Sequence, residues 1–206
     1  MLNQGSIKIK NASIKGVVSC IPKNNIKNDY FEKFFHAEEI KNITNSTGVK
    51  ERRWVKNKDS HSFKLCLIAA TDLLKGLKWE PSSVEGIIFV TQTHQKIMPA
   101  ESCIIQSELG LKESTFLLDI NSGCAGYAYG CMVAYSLINS GLKRVLVLAG
   151  ETPSKIIDPN NKATSILFGD AGTATAIEKE GNAHNNIFIY GGDGKGANLL
   201  TCPNNG

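Results

Sequence analysis

Short apolar runs alternate with longer helical stretches along most of the chain, and this alternation limits the possible folds. Gly86–Thr91, Thr115–Ile120 and Lys143–Gly150 are predicted to be buried strands. His61–Leu77 has apolar residues near one helical face, and the stretch from Cys124 to about Asn139 has helical length and no proline. This order predicts an α/β fold in which helices cover both faces of a mainly parallel sheet. The other expected elements are a strand at Ala12–Cys20, helices at Tyr30–Asn42 and Pro99–Leu109, a basic loop or short strand at Gly48–Lys58, and strands at Gly172–Ile177 and Ile187–Tyr190.

Size and composition fit one ordinary globular domain. The 206 residues can bury a sizeable core, and 42% of them are hydrophobic, which excludes a disordered tail, a collagen or a coiled coil. Six cysteines are too sparse for a small disulfide scaffold, and no signal peptide precedes them. No apolar run approaches the roughly 20 residues that a membrane span requires. We therefore expect a cytoplasmic protein with reduced thiols and no membrane contact.

The formal net charge of +4 hides an uneven distribution. Residues 1–64 carry a balance of +7, and residues 65–206 carry a balance of −3. The basic part could attract an acidic partner, such as a nucleic acid, a phosphate-bearing cofactor or an acidic carrier protein. The alternative is an ordinary lysine-rich surface, and composition alone does not separate the two.

The cysteines and histidines do not show the spacing of a metal site. No two cysteines form a C-x-x-C pair, and the four histidines are scattered, so we expect no structural zinc. Cys66 lies in an apolar run and Cys131 lies within a predicted helix, which indicates that both are small buried hydrophobic residues.

Cys124 has different surroundings. It follows a predicted strand and the turn Asn121-Ser122-Gly123, and it precedes a predicted helix. A helix N-terminus stabilises a thiolate through unpaired N–H groups and the helix dipole. Gly123 and Gly126 are expected to leave space for a ligand beside the sulfur. The pattern alone leaves two interpretations open: a catalytic nucleophile, or a buried cysteine at the end of a core helix.

Three segments in register resemble the β-ketoacyl-acyl-carrier-protein synthase III family, a branch of the thiolase superfamily. They are D-I-N-S-G-C-A-G-Y-A-Y-G around Cys124, D-P-N-N-K-A-T-S-I-L-F-G-D from Asp158 to Asp170, and T-G-V-K-E-R-R-W from Thr47 to Trp54. The similarity runs from about Ser13 to the C-terminus. The resemblance implies a thiolase-like half with a mixed, mainly parallel five-stranded sheet covered by helices on both faces.

The resemblance also implies a chemistry. Family members pass an acyl group from coenzyme A to a cysteine, which matches Cys124. A malonyl group on acyl-carrier protein then loses carbon dioxide, and the carbanion attacks the thioester. The implied partners are acyl-coenzyme A, acyl-carrier protein and a second copy in a homodimer. We expect no permanently bound cofactor, no metal and no nucleic acid.

Some family positions carry over with changed residues. The acyl-pocket position contributed across the dimer, aromatic in the best-known relatives, matches Met98, and the cofactor-facing arginine matches Lys162. The Trp and Arg that clamp the adenine fall on Asn42 and Ser46. A lysine lacks the planar stacking of an arginine, and Asn42 and Ser46 lack the clamp of the Trp and Arg, so binding of the adenine of coenzyme A is expected to be weaker. An acyl-carrier protein is therefore an alternative acyl donor.

The family's catalytic His and Asn lie in a second half that this chain does not match, and none of His36, His61, His94 or His184 falls on the His position. We therefore expect residues 1–206 to be the N-terminal thiolase-like domain of a longer enzyme whose C-terminal half is absent here. The alternatives are an acyltransferase with another acceptor and a non-catalytic truncated partner subunit.

Overall fold

The computed structural model describes residues 4–57, 60–181 and 185–202. Within these ranges the strands are β1 (Gly5–Ile9), β2 (Ala12–Cys20), β3 (Asn25–Lys27), β4 (Glu51–Arg53), β5 (Gly86–Val90), β6 (Phe116–Ile120), β7 (Arg144–Glu151), β8 (Ala171–Lys179) and β9 (Asn186–Tyr190). The α-helices are α1 (Ala37–Thr47), α2 (Ser62–Leu77), α3 (Glu101–Leu109), α4 (Gly126–Asn139) and the short α5 (Lys162–Ser165).

A mixed five-stranded sheet forms the centre, in the order β2-β8-β7-β5-β6. Strand β5 pairs in parallel with both β6 and β7, whereas β8 is antiparallel to β7 and to β2. Four strands therefore run in one direction and β8 runs against them. The predicted mainly parallel, five-stranded sheet is confirmed.

Helices cover both faces of this sheet, as the alternation predicted. All five residues of β5 are buried, because each of its two faces contacts a different helical layer. Ile87 and Phe89 belong to a core with α2 and α3. Ile88 and Val90 belong to a second core with α4. The sheet is thus the middle of three packed layers.

The prediction of one continuous helix at Tyr30–Asn42 is wrong. The chain forms a 3₁₀ helix at Asn28–Lys33, and α1 begins only at Ala37. The extended backbone of His36 separates the two helices, and its N–H donates to the Glu39 carboxylate at 3.2 Å, an arrangement that caps the start of α1. The 3₁₀ helix buries Phe31, which packs with α1 and Ile166 in a small separate core.

A two-stranded ribbon, β1 with β9, lies outside the central sheet and packs on α4. The strands pair antiparallel, and the Phe188 ring lies 5.4 Å from the Tyr135 ring of α4. The sequence analysis identified β9 but not β1, a five-residue strand with only two apolar side chains, Ile7 and Ile9. Among the described residues, no helix is both long and apolar enough to cross a membrane.

Candidate active site

The carboxyl ends of three neighbouring parallel strands meet at one edge of the sheet. Thr91–Thr93 follow β5, Asn121–Cys124 follow β6, and Glu151 ends β7. This edge is where α/β proteins place their ligand sites, because loops from adjacent strands converge there. The predicted nucleophile therefore lies in a favoured position of the fold.

Cys124 is exposed in the tight turn between β6 and α4. The turn closes where the Gly126 N–H donates to the Gly123 carbonyl at 2.7 Å. The helix begins at Gly126, two residues later than the sequence predicted, so Cys124 stands just before the helix. Within the described part of the chain, the Cys124 N–H makes no hydrogen bond. It is therefore free to donate to a ligand oxygen, as N–H groups at a helix start can.

The two glycines beside Cys124 have different roles. A Cβ at Gly126 would lie 2.6 Å from Cγ1 of Val90, so this glycine lets α4 approach the sheet closely. The predicted space for a ligand at Gly126 is wrong, because Val90 occupies it. A Cβ at Gly123 would lie 2.9 Å from Oε1 of Gln92, the flexible end of a side chain. Only Gly123 is flanked by a group that could move aside for a ligand.

A polar network behind the cysteine turn was not expected from the sequence. The Glu151 carboxylate accepts the Gln92 N–H at 2.7 Å and the Thr93 hydroxyl at 2.6 Å. The Gln92 side chain in turn donates to Asn121 Oδ1 at 3.3 Å. These bonds link the ends of β7, β5 and β6. The signal that could have found them is positional, since each residue directly follows or ends a predicted parallel strand.

The other cysteines differ from Cys124 either in exposure or in their place in the fold. Burial raises the pKa of the Cys66 thiol to about 12 and also raises the pKa of Cys131. Both predictions of a buried structural cysteine are confirmed by the burial of these side chains. Cys103 and Cys202 are exposed like Cys124, but neither follows a strand of the central sheet.

Met98 lies in the exposed loop between β5 and α3. Met98 is 79% exposed and the adjacent Ile97 is 99% exposed. These two adjacent apolar residues are therefore open to solvent on the surface of the single chain.

Lys162 is the first residue of α5 and contacts α1. Its Nζ donates to the Glu39 carboxylate at 2.7 Å, and this bond lowers the pKa of Glu39. Asn42 and Ser46 lie one and two turns beyond Glu39, on the same side of α1. The structure thus places Lys162 against the first turn of the helix that carries Asn42 and Ser46. The sequence analysis did not identify Glu39, whose carboxylate forms an ion pair with Lys162.

The histidines show no metal site. Across the ranges 4–57, 60–181 and 185–202, no group of three His, Cys, Asp or Glu side chains has a geometry suited to a metal ion. His94 lies beside Glu101 and Asp119, with its Nδ1 3.7 Å and 4.0 Å from their carboxylate oxygens. His184 lies outside the described residues.

A mixed sheet between two helical layers, with a cysteine between the edge strand and a central helix, defines a thiolase-like protein. Solved structures agree: a 3-oxoacyl-acyl-carrier-protein synthase from Burkholderia xenovorans LB400 superposes with a TM-score of 0.91 at 42% identity, over 94% of this chain and 55% of that one. The model of the 3-oxoacyl-acyl-carrier-protein synthase III family matches residues 118–196.

Two curated relatives give the same result. The β-ketoacyl-acyl-carrier-protein synthase III of Fusobacterium nucleatum is 35% identical over 96% of this chain and 60% of its own length. That of Clostridioides difficile is 33% identical over 95% of this chain and 59% of its own length. The resemblance to the β-ketoacyl-acyl-carrier-protein synthase III family is confirmed in sequence and in fold. The chain spans somewhat more than half the length of these relatives.

Proposed function

We propose that this chain supplies the acyl-accepting part of a β-ketoacyl-acyl-carrier-protein synthase III-like acyltransferase, with Cys124 as the nucleophile. One observation carries the proposal: an exposed thiol follows the edge strand at the start of α4, in a fold shared with proteins of that name. The proposed reaction starts fatty acid synthesis, or a related lipid or polyketide pathway.

In the first step the Cys124 thiolate attacks the carbonyl carbon of an acyl thioester. The new carbon–sulfur bond forms as the donor thiolate leaves, and the acyl group remains on Cys124. The tetrahedral oxyanion needs fixed N–H donors, and the unpaired N–H of Cys124 is positioned on the same residue as the sulfur. The polar network through Gln92 and Asn121 holds the turn that presents both groups.

In the second step malonyl-acyl-carrier protein loses carbon dioxide, and the resulting carbanion attacks the acyl carbon. The Cys124 thiolate then leaves, and the product is a β-ketoacyl thioester on the carrier protein. In the family, a His and an Asn of the second half stabilise the charge that decarboxylation places on the thioester oxygen. We propose that this stretch of 206 residues corresponds to the N-terminal domain and depends on such a second half for condensation.

The proposed donor is an acyl-coenzyme A bound near Lys162. The ammonium group of Lys162 can bind a phosphate of the coenzyme. Asn42 and Ser46 lie on the side of α1 that carries Glu39, the partner of Lys162. The ion pair with Glu39 competes for that charge, which favours a weaker coenzyme A contact than a free arginine would give. Acyl-carrier protein is the proposed acceptor partner. We further propose a cytoplasmic location and a homodimer, the latter supported by the position of β6 at the edge of the central sheet.

The test separates the two steps. The purified chain is incubated with acetyl-coenzyme A and malonyl-acyl-carrier protein carrying a radiolabelled carboxyl group. We expect an acetyl adduct on Cys124 by mass spectrometry, absent in Cys124→Ser and retained in the matched control Cys103→Ser. We expect almost no labelled carbon dioxide, because losing one oxyanion donor typically costs about 10²–10³ in rate.

Two outcomes would contradict the proposal. Robust Cys124-dependent release of carbon dioxide would show that the 206 residues supply their own hydrogen-bond donors to the enolate oxygen. Failure of Cys124 to accept an acyl group from any thioester, in a folded chain, would favour a non-catalytic partner subunit instead.

A further inference from the structure

A buried carboxylate lies directly behind the loop that carries Met98. Glu101, the first residue of α3, has 0% exposure, and its Oε1 accepts the Gln95 N–H at 2.6 Å. Its Oε2 is also buried and makes no hydrogen bond within the described part of the chain. A glutamate in the first turn of a helix is favourable when it is exposed. Burying it carries a desolvation cost, so a compensating contact is required.

The surroundings of Glu101 connect three elements. The Asp119 carboxylate of β6 accepts the N–H groups of Glu101 and Ser102, at 2.7 and 3.0 Å, and so caps α3. His94, which follows β5, lies near both carboxylates. Burial raises the pKa of Glu101 and the Asp119 charge adds to this, while the Gln95 N–H and His94 oppose it. The carboxylates of Asp119 and Glu101 therefore connect β6, α3 and the loop that carries Met98, which are not joined here by hydrogen bonds between sheet strands.

The loop itself has little packing to hold it. Residues 95–100 are all exposed, including the apolar Ile97 and Met98. An exposed loop without buried apolar contacts opens at low free-energy cost, so its conformation depends on its hydrogen bonds. The bond from the Gln95 N–H to Glu101 fixes its beginning, and the Asp119 cap fixes the helix at its end.

We infer that Glu101 is a positioning residue that holds the loop of residues 95–100, and with it Met98, in fixed register with the strand that leads to Cys124. This inference rests on the proposed function, in which Met98 contributes to the acyl pocket of a partner copy. Asp119 lies on β6, and Cys124 lies in the turn that follows this strand. The hydrogen bonds of Glu101 to Gln95 and Asp119 therefore connect the position of Met98 to that of the nucleophile. Removing the Glu101 side chain should change which acyl groups are accepted more than whether any group is accepted.

The test uses Glu101→Ala, Glu101→Gln and the control Glu108→Gln, which changes an exposed glutamate on the same helix. Hydrogen exchange followed by mass spectrometry measures the amides of residues 95–98. We expect exchange at least tenfold faster in Glu101→Ala, wild-type exchange in Glu108→Gln, and substantial rescue in Glu101→Gln, whose amide oxygen can still accept the Gln95 N–H. Circular dichroism and urea unfolding establish that each variant is folded.

The second readout is acyl selectivity, measured as the ratio of Cys124 acylation rates with acetyl- and octanoyl-coenzyme A. We expect this ratio to shift several-fold in Glu101→Ala and to return toward the wild-type value in Glu101→Gln. Wild-type loop exchange together with an unchanged ratio in both variants would overturn the inference. If Cys124 accepts no acyl group at all, the proposed function fails, and the exchange measurement still decides whether Glu101 anchors the loop.

Discussion

Replacing Gly126 with alanine tests the close packing that sets the start of α4. The new Cβ would lie 2.6 Å from Cγ1 of Val90, whereas carbon atoms in contact are normally about 3.5–4.0 Å apart. The overlap of about 1 Å cannot be relieved by a flexible side-chain end, because Val90 is 4% exposed and its β-branched side chain is stiff. Either Val90 leaves its rotamer or the first turn of α4 moves away from the sheet.

Such overpacking typically costs about 1–3 kcal/mol. For a chain of this length, each kcal/mol lowers Tm by about 2–4 °C, so we expect Gly126→Ala to melt about 2–12 °C below the parent. Because Cys124 lies two residues before Gly126, the same movement should slow alkylation of its thiol. The measurements are urea unfolding, thermal melting and the rate of Cys124 labelling.

The matched control is Gly76→Ala in α2. No neighbouring atom lies within 4 Å of a Cβ built at Gly76, so alanine there should stabilise the chain by about 0.5–1 kcal/mol through its better helix propensity. If Gly126→Ala unfolds at the same urea concentration as the parent while Gly76→Ala is stabilised, the argument from the Val90 contact is refuted.

Two further predictions concern the thiols and the assembly. Limited iodoacetamide at pH 8 should label Cys124 before any other cysteine, and Cys66 should stay unlabelled because its pKa is about 12; preferential labelling of exposed Cys103 would count against a special reactivity of Cys124. The chain should sediment as a dimer at micromolar concentration through the edge strand β6, and Phe116→Glu, at an exposed apolar position of that strand, should shift it to monomer; a folded wild-type monomer would contradict the proposed homodimer.

The layered fold could be predicted from the sequence because its signals are local. Strand β5 is a continuous apolar run because both of its faces are buried. Helix α2 has periodic apolar residues because only one of its faces is buried. The ribbon strand β1 was missed because it is short and pairs with β9, about 180 residues away. The break before α1 was missed because the extended backbone of His36 interrupts a stretch whose sequence is amphipathic.

The candidate site was predictable only in part. Cys124 is identified by its neighbours in sequence, since a strand, a turn and a helix succeed one another there. Gln92, Glu151 and Glu101 were not identified, because their roles depend on residues from other strands that the fold brings beside them. The role of Gly126 was assigned wrongly for the same reason: whether a glycine makes room for a ligand or for the sheet depends on tertiary packing.

The pairing of β2 with β8 has a consequence for biosynthesis. Ala12–Cys20 pair with Gly172–Lys179, so the partner of this early strand is translated more than 150 residues later. At about 5–20 residues per second, β2 waits roughly 8–30 seconds on a ribosome before its partner exists. During that interval its hydrogen-bonding edge is unpaired and open to wrong partners. The central sheet of a nascent chain can therefore be completed only after nearly all of these residues have been synthesised, which makes this pairing a natural point for chaperone protection.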